Sequence, residues 1–116
     1  MGYAKPSKQS HDSRFTIDFP YIHKIRVKIG FDPAKDEANR EKHGVSLAYG
    51  AGVFGDPDHL VLPSICPIDG EYRYKAIGMV DGRSWTAVHV IRGSVTRFIS
   101  VRRSNDGEER AYRTER

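Results

Sequence analysis

The side chains in this chain that could do chemistry are mainly cationic, imidazole or aromatic. There are 19 Lys plus Arg and five His, interleaved in the second half with Tyr72, Tyr74, Trp85 and Phe98. Cutting RNA without a metal needs a base for the 2′-hydroxyl proton, cations for the pentavalent phosphate and an acid for the departing oxygen. His, Lys, Arg and Tyr can meet those needs together, and aromatic rings stack unpaired bases. Other chemistries lack their residues. His11, His23, His43, His59 and His89 have no close ligand spacing, and Asp56 and Asp58 beside His59 read as a loop, so neither a metal nor a cofactor is expected. The glycines punctuate turns instead of forming a phosphate loop, and no Gly-x-Ser-x-Gly elbow occurs. The single Cys66 lies in an apolar run, which favours an inert thiol over a nucleophile. One cysteine excludes an internal disulfide and suits a reducing, cytoplasmic setting.

Positioning these groups falls first to a helix of about three turns between two well-marked ends. Asp32 precedes Pro33, a cap followed by a residue whose φ suits the first helical position. Gly44 can close the helix in the left-handed conformation, and Lys42 and His43 complement the dipole in its last turn. Before it, Ile25, Val27 and Ile29 alternate with Lys24, Arg26 and Lys28, which predicts a strand with one basic side. After it, Ser46 is positioned to cap a second helix over 47–54, weakened by Gly50 and Gly52. The remainder reads as antiparallel sheet, with strands over 60–66, 72–79, 85–91 and 95–101. Asn105 and Glu108 have capping-box spacing, which predicts a short terminal helix carrying Arg110, Tyr112 and Arg113.

Two-residue turns at Asp81-Gly82 and Gly93-Ser94 set the strand register, and register decides which side chains share a face. One face should carry Ile77, Met79, Val88, Val90, Ile99 and Val101 beneath the helices, with Arg73, Lys75, Arg92 and Arg97 towards one end. The other should expose Tyr72, Tyr74, Trp85, His89, Phe98, Ser100 and Arg102 as a platform for RNA, with Arg103 beside it. A single bulge would swap the faces beyond it.

The chain also resembles a known family. Phe31-Asp32-Pro33, Lys35, Asn39, Lys42 to Val45, Val53-Phe54 and Asp56-Pro57 look like the opening signature of the BrnT family of bacterial type II toxins. The likeness continues through Glu71, Arg73, Ile77-Gly78, Arg92-Gly93, Ile99-Ser100, Arg102-Arg103, Glu108 and Tyr112, and covers about 25–114. It implies an α+β, RelE-like fold: an N-terminal strand and two helices packed on a four-stranded antiparallel sheet, with a short C-terminal helix. It further implies an endoribonuclease that degrades messenger RNA and arrests growth. Such a toxin is neutralised by a BrnA-type ribbon-helix-helix antitoxin, in a 2:2 assembly that binds operator DNA through the antitoxin. By matched position, Lys42, His43, Arg73, Arg92, Arg102 and Tyr112 become the candidates for catalysis. The chain departs from the family pattern at Gly50 and Gly52, where acidic residues or alanine are usual, at Ser104, where alanine is usual, and at Glu109, where a basic residue commonly follows Glu108.

Each candidate has a plainer reading. Lys42 and His43 can serve only the helix end, Arg73 can pair with Glu71 across strands, and Trp85, Tyr72 and Tyr74 can be core. At 116 residues the chain fits one domain, taken as 22–116 after a polar, disordered extension over 1–21. A pI near 9.3 fits a polyanionic partner or simply a soluble basic surface. No apolar run is long enough to cross a membrane. The alternatives to a nuclease are a non-catalytic RNA- or DNA-binding module and a partner-binding domain.

Overall fold

The computed structural model describes residues 15–22, 25–64 and 72–115, with side chains described for 28–64 and 72–114. Cys66, Glu71 and the expected turn over 67–70 lie outside the described residues, as do residues 1–14. The elements are β1 (Phe15–Ile22), β2 (Ile25–Phe31), α1 (Pro33–His43), a 3₁₀ turn (Leu47–Gly50), α2 (Ala51–Phe54), β3 (Leu60–Ser64), β4 (Arg73–Val80), β5 (Arg83–Arg92), β6 (Val95–Arg103) and α3 (Asp106–Glu115). The class is α+β, but the sheet is larger than expected. Six strands run in the order β1-β2-β6-β5-β4-β3, with β2 joined parallel to β6 and every other pair antiparallel. The N-terminal strand is therefore part of the sheet, not packed on it. Residues 15–21, assigned by sequence to the extension, belong to β1.

Local signals explain α1. The Asp32 side chain accepts from the Ala34 amide at 3.0 Å, and Gly44, at φ 81°, donates its N–H to the Arg40 carbonyl. The next segment departs from expectation. Ser46 makes no side-chain cap; Asp36 of α1 accepts from the Leu47 amide at 2.7 Å and starts the 3₁₀ turn from outside. Gly50 weakens helicity in isolation, but a Cβ there would lie 3.0 Å from Phe98 and Val101 side chains. Close approach to the sheet is what this glycine provides.

Asn39 connects α1 to the free border of β6. Pairing with β2 ends at Arg97, and beyond it the Asn39 carboxamide accepts from the Val101 amide at 3.1 Å and donates to the Val101 carbonyl at 2.9 Å. The same nitrogen donates to the Val45 carbonyl at 2.9 Å, so the helix end, the following loop and the strand are tied together.

Both hairpin turns form as the register argument requires. Asp81 and Gly82 have φ of 52° and 79°, Val80 pairs with Arg83, and Arg92 pairs with Val95. What changes is the middle of the second hairpin. His89 pairs with Phe98 but Val88 pairs with Ser100, a bulge that shifts the rest of β6 by one residue. Val101 thereby joins the face of Trp85, Ala87, His89 and Phe98, while Arg102 moves to the face of Thr86, Lys75 and Arg73.

The helices cover the opposite face to the one expected. The main core comprises Ile29, Phe31, Leu47, Ala51, Val53, Ala76, Trp85, Ala87, Phe98 and Val101. Small residues explain the choice: a Cβ on Gly78 would sit 2.7 Å from the Val53 carbonyl, so α2 rests directly on β4. Large rings from Trp85 and Phe98 then fill the space to either side.

Candidate functional site

The face away from α1 and α2 collects the basic side chains. Register places Arg73, Lys75, Arg92, Arg97 and, through the bulge, Arg102 on this side, together with Ile77, Thr86, Val88 and Val90. α3 lies over one end of it and contributes Glu108, which is buried. Arg102 grips that carboxylate with both ends of its fork, Nη1 to Oε1 and Nη2 to Oε2 at 2.8 Å each. Lys75 Nζ reaches Oε2 at 3.2 Å, and Thr86 Oγ1 and the Asn105 amide donate to Oε1 at 3.0 and 2.9 Å. Burial alone would raise the Glu108 pKa. The Arg102 fork, then the Asn105 amide, Thr86 and Lys75, overcome that and hold it at about 2.

This carboxylate is also the expected capping-box partner, since its own amide donates to Asn105 Oδ1 at 2.8 Å. One residue thus starts α3 and restrains two cations on the sheet. Ser104, the departure from the alanine usual in the family, fits the same network through 2.8 Å bonds to Thr86 Oγ1 and Ser84 Oγ.

Lys42 and His43 lie across the border of β6. With Lys35, Ala38, Asn39, Ile99 and Ser100 they line a groove of about 180 Å3 between α1 and the bulged strand. The His43 pKa is lowered by partial burial, by Lys42 beside it and by the charge of Arg102. The lowered pKa favours the neutral imidazole, the form able to accept a proton, in cationic surroundings.

The expected residues fall into three groups. Lys42 and Arg102 are both close enough to His43 for their charges to act on it. Arg73 and Arg92 share the face of Arg102 but stand further along the strands: Arg102 is opposite Thr86, whereas Arg92 ends β5 at the other turn and Arg73 begins β4. Tyr112 stands apart from both. Its buried hydroxyl donates to Asp56 Oδ2 at 2.5 Å, and the same oxygen accepts from the Met79 amide at 2.8 Å. Tyr112 thus fastens α3 to the segment after α2 and, through Asp56, to β4. For Asp56, burial pushes the pKa up, while bonds from Tyr112, Met79 and Asp58 and the charge of His59 bring it below the ordinary value.

The aromatic platform is corrected more strongly. Trp85 is 7% exposed, Phe98 1% and His89 1%, all under the helical layer. Trp85 meets Tyr49 edge-on at 5.1 Å, and His89 lies between Phe54 and Tyr74 with Nδ1 at 3.0 Å from the Ala87 carbonyl. Burial lowers the His89 pKa, so it is a neutral core residue. These three rings cannot stack bases, and Tyr74 is half-buried against His89. Tyr72, 72% exposed, and the exposed Arg103, whose guanidinium carbon stands 5.7 Å from the Trp85 ring centre, remain reachable.

Sequence reasoning missed Lys75 and Thr86 as parts of the site. Lys75 had a visible signal, its two-residue spacing from Arg73; Thr86 had none, because the bulge alone brings it opposite Arg102. Among the described residues no group of three or more His, Cys, Asp or Glu is placed to hold a metal ion, and no helix is long and apolar enough to cross a membrane.

No curated protein matches the chain. A family model described as "Ribonuclease toxin, BrnT, of type II toxin-antitoxin system" matches residues 31–108. That span runs from the end of β2 through α1, the hairpins and the bulge to Glu108, and so contains the groove, the basic face and the carboxylate that restrains it. The chain accordingly belongs to the BrnT family of ribonuclease toxins, which pair with an antitoxin in type II toxin-antitoxin systems.

Proposed function

We propose that the protein is a RelE-like, metal-independent endoribonuclease whose substrate lies on the basic sheet face and is cut at the β6 border. The observation that carries this reading is the groove beside β6 in which His43 and Lys42 meet, with the charge of Arg102 near enough to act on His43. His43 takes the 2′-hydroxyl proton, and the 2′-oxygen attacks the adjacent phosphorus. Arg102 and Lys42 stabilise the added charge as the bond to the 5′-oxygen breaks. The departing oxygen takes a proton from Lys42, leaving a cyclic phosphate on one product. Arg73 and Arg92 hold flanking phosphates further along the face, and Tyr72 stacks an unpaired base.

Antitoxin-free protein should cut single-stranded RNA in EDTA and leave cyclic-phosphate ends. His43→Ala should lower the rate about 10²- to 10⁴-fold and Arg102→Ala about 10²-fold. Full activity in both variants would remove this assignment. A non-catalytic RNA-binding module is the second reading, favoured by the fact that both ends of the Arg102 fork are already engaged by Glu108. It predicts salt-dependent binding of intact RNA with no cleavage.

The partner in this proposal is a BrnA-like ribbon-helix-helix antitoxin in a 2:2 assembly that reaches operator DNA. Action on messenger RNA, with growth arrest, places the protein in the cytoplasm. Co-purification with the product of the adjacent reading frame, followed by mass measurement of the complex, tests the assembly.

A further inference from the structure

We propose that a second cleft, between the β4–β5 hairpin and α3, binds an RNA phosphate remote from the bond that is cut. This inference rests on the ribonuclease reading for its ligand but not for its geometry. The cleft has a volume of about 250 Å3, and its lining includes Arg83, Arg103 and Arg113 with Met79, Ser84 and Tyr112. Three different elements supply the cations: Arg83 opens β5, Arg103 ends β6 and Arg113 is in the last turn of α3.

Their electrostatic state sets them apart. Arg102 and Lys75 are paired with Glu108, and Arg40 with Asp36 at 3.1 Å. Among the described residues, Arg83, Arg103 and Arg113 enter no ion pair, although Glu109 also lines the cleft. Arg103 is nevertheless held in place. Its Nε donates to the Ser84 carbonyl at 3.4 Å and its plane lies near the Trp85 ring, which leaves both terminal nitrogens for a ligand. Like charges gathered in a concave site repel, and an anion relieves that repulsion. Guanidinium forks match phosphate oxygens in particular.

RNA is favoured over an acidic protein by continuity with the active face. Arg102 and Arg103 are consecutive residues that point to opposite sides of β6 at the end of the sheet. A chain with a phosphate at every unit can pass round that end and meet both, and isolated carboxylates on a folded partner have no such spacing.

The test uses a 2′-O-methyl RNA oligonucleotide, which binds but has no 2′-hydroxyl to attack, titrated by fluorescence anisotropy at several salt concentrations. Arg83 and Arg113 are exposed and unpaired, so Arg83→Gln/Arg113→Gln should fold normally, which a melting curve checks. The double variant should bind at least tenfold more weakly, and its log K against log salt slope should fall by about 1.4, two single-strand contacts at ~0.7 each. Arg113→Gln alone should show about half that change in slope. With natural RNA, KM should rise and kcat stay the same. Unchanged affinity and slope in the double variant would overturn the proposal. Unchanged RNA binding with weakened capture of the cognate antitoxin would also overturn it, and would assign the cleft to an acidic protein surface. A wild-type protein that binds the methylated strand through these arginines yet cuts no RNA would sink the nuclease reading and leave the subsite standing.

Discussion

Beneath α1 and α2, the sheet offers Ala76, Gly78 and Ala87 as low ground between the rings of Trp85 and Phe98, and shape decides what can rest there. On the other side the sheet offers arginines and lysines, and one buried carboxylate, Glu108, decides how they are held. The first face is made stable by removing methyl groups where backbones must meet. The second is ordered by a single negative charge among several positive ones, so it keeps cationic character while fixing Arg102 and Lys75 in direction. A ribonuclease needs both: a rigid floor and an oriented field.

The sharpest way to break this comparison is to truncate a ring. Phe98→Ala should cost about 3–5 kcal/mol in denaturant unfolding while the folded protein binds RNA as before. Lost RNA affinity with unaltered stability would mean that this face is a binding platform after all. Next in size, Glu108→Ala should destabilise by roughly 3 kcal/mol, because it leaves two half-buried cations without their carboxylate and removes the capping-box partner of α3 together. A neutral outcome would show that the network is ornamental.

Acid probes the same carboxylate more gently. The Glu108 pKa falls from its ordinary 4.5 to about 2 in the fold, so its contribution is fully present above 4.5 and is lost as pH drops through 2. The full shift equals roughly 3 kcal/mol, and about 2 remains once solvent screening is discounted. Melting temperatures followed from pH 5 downward should therefore fall more steeply in wild type than in Glu108→Gln. The smallest effect concerns His43. Its neutral form should sustain cleavage to below the ordinary imidazole range, and in Lys42→Gln, besides the rate lost with the proton donor, the acid limb of kcat/KM should move upward. An unmoved limb would assign the base elsewhere.

What the sequence disclosed was whatever short-range chemistry dictates. Asp32-Pro33 and Gly44 bound α1, Asp81-Gly82 makes its turn, and Asn105 with Glu108 begins α3, each through contacts within a few residues. The strand pairing next to both turns was legible for the same reason. The faces were not. A bulge at Val88 and His89 carries no glycine or proline to announce it, yet it exchanges Val101 for Arg102 across the sheet. Branched aliphatics at Ile77, Val88 and Val90 make their face, and not the one the helices cover, look like the core side. The overlooked clue was Gly78 between Ala76 and Ala87's strand, smallness that only a closely seated helix explains. Tyr112 lies on the expected terminal helix, and its bond to Asp56 is a long-range contact that no local pattern announces.

Among the described residues no strand pairs with this stretch of β6 on its α1 side, and the carboxamide of Asn39 stands in for one, occupying both backbone groups of Val101. Foreign chains seeking to extend the sheet therefore find that stretch of β6 already satisfied, and meet Pro63, which lacks an amide hydrogen, on the outer strand β3. Along these two borders, resistance to an added strand thus rests on one amide side chain on a helix and one imino acid, while β1 forms the sheet's other edge.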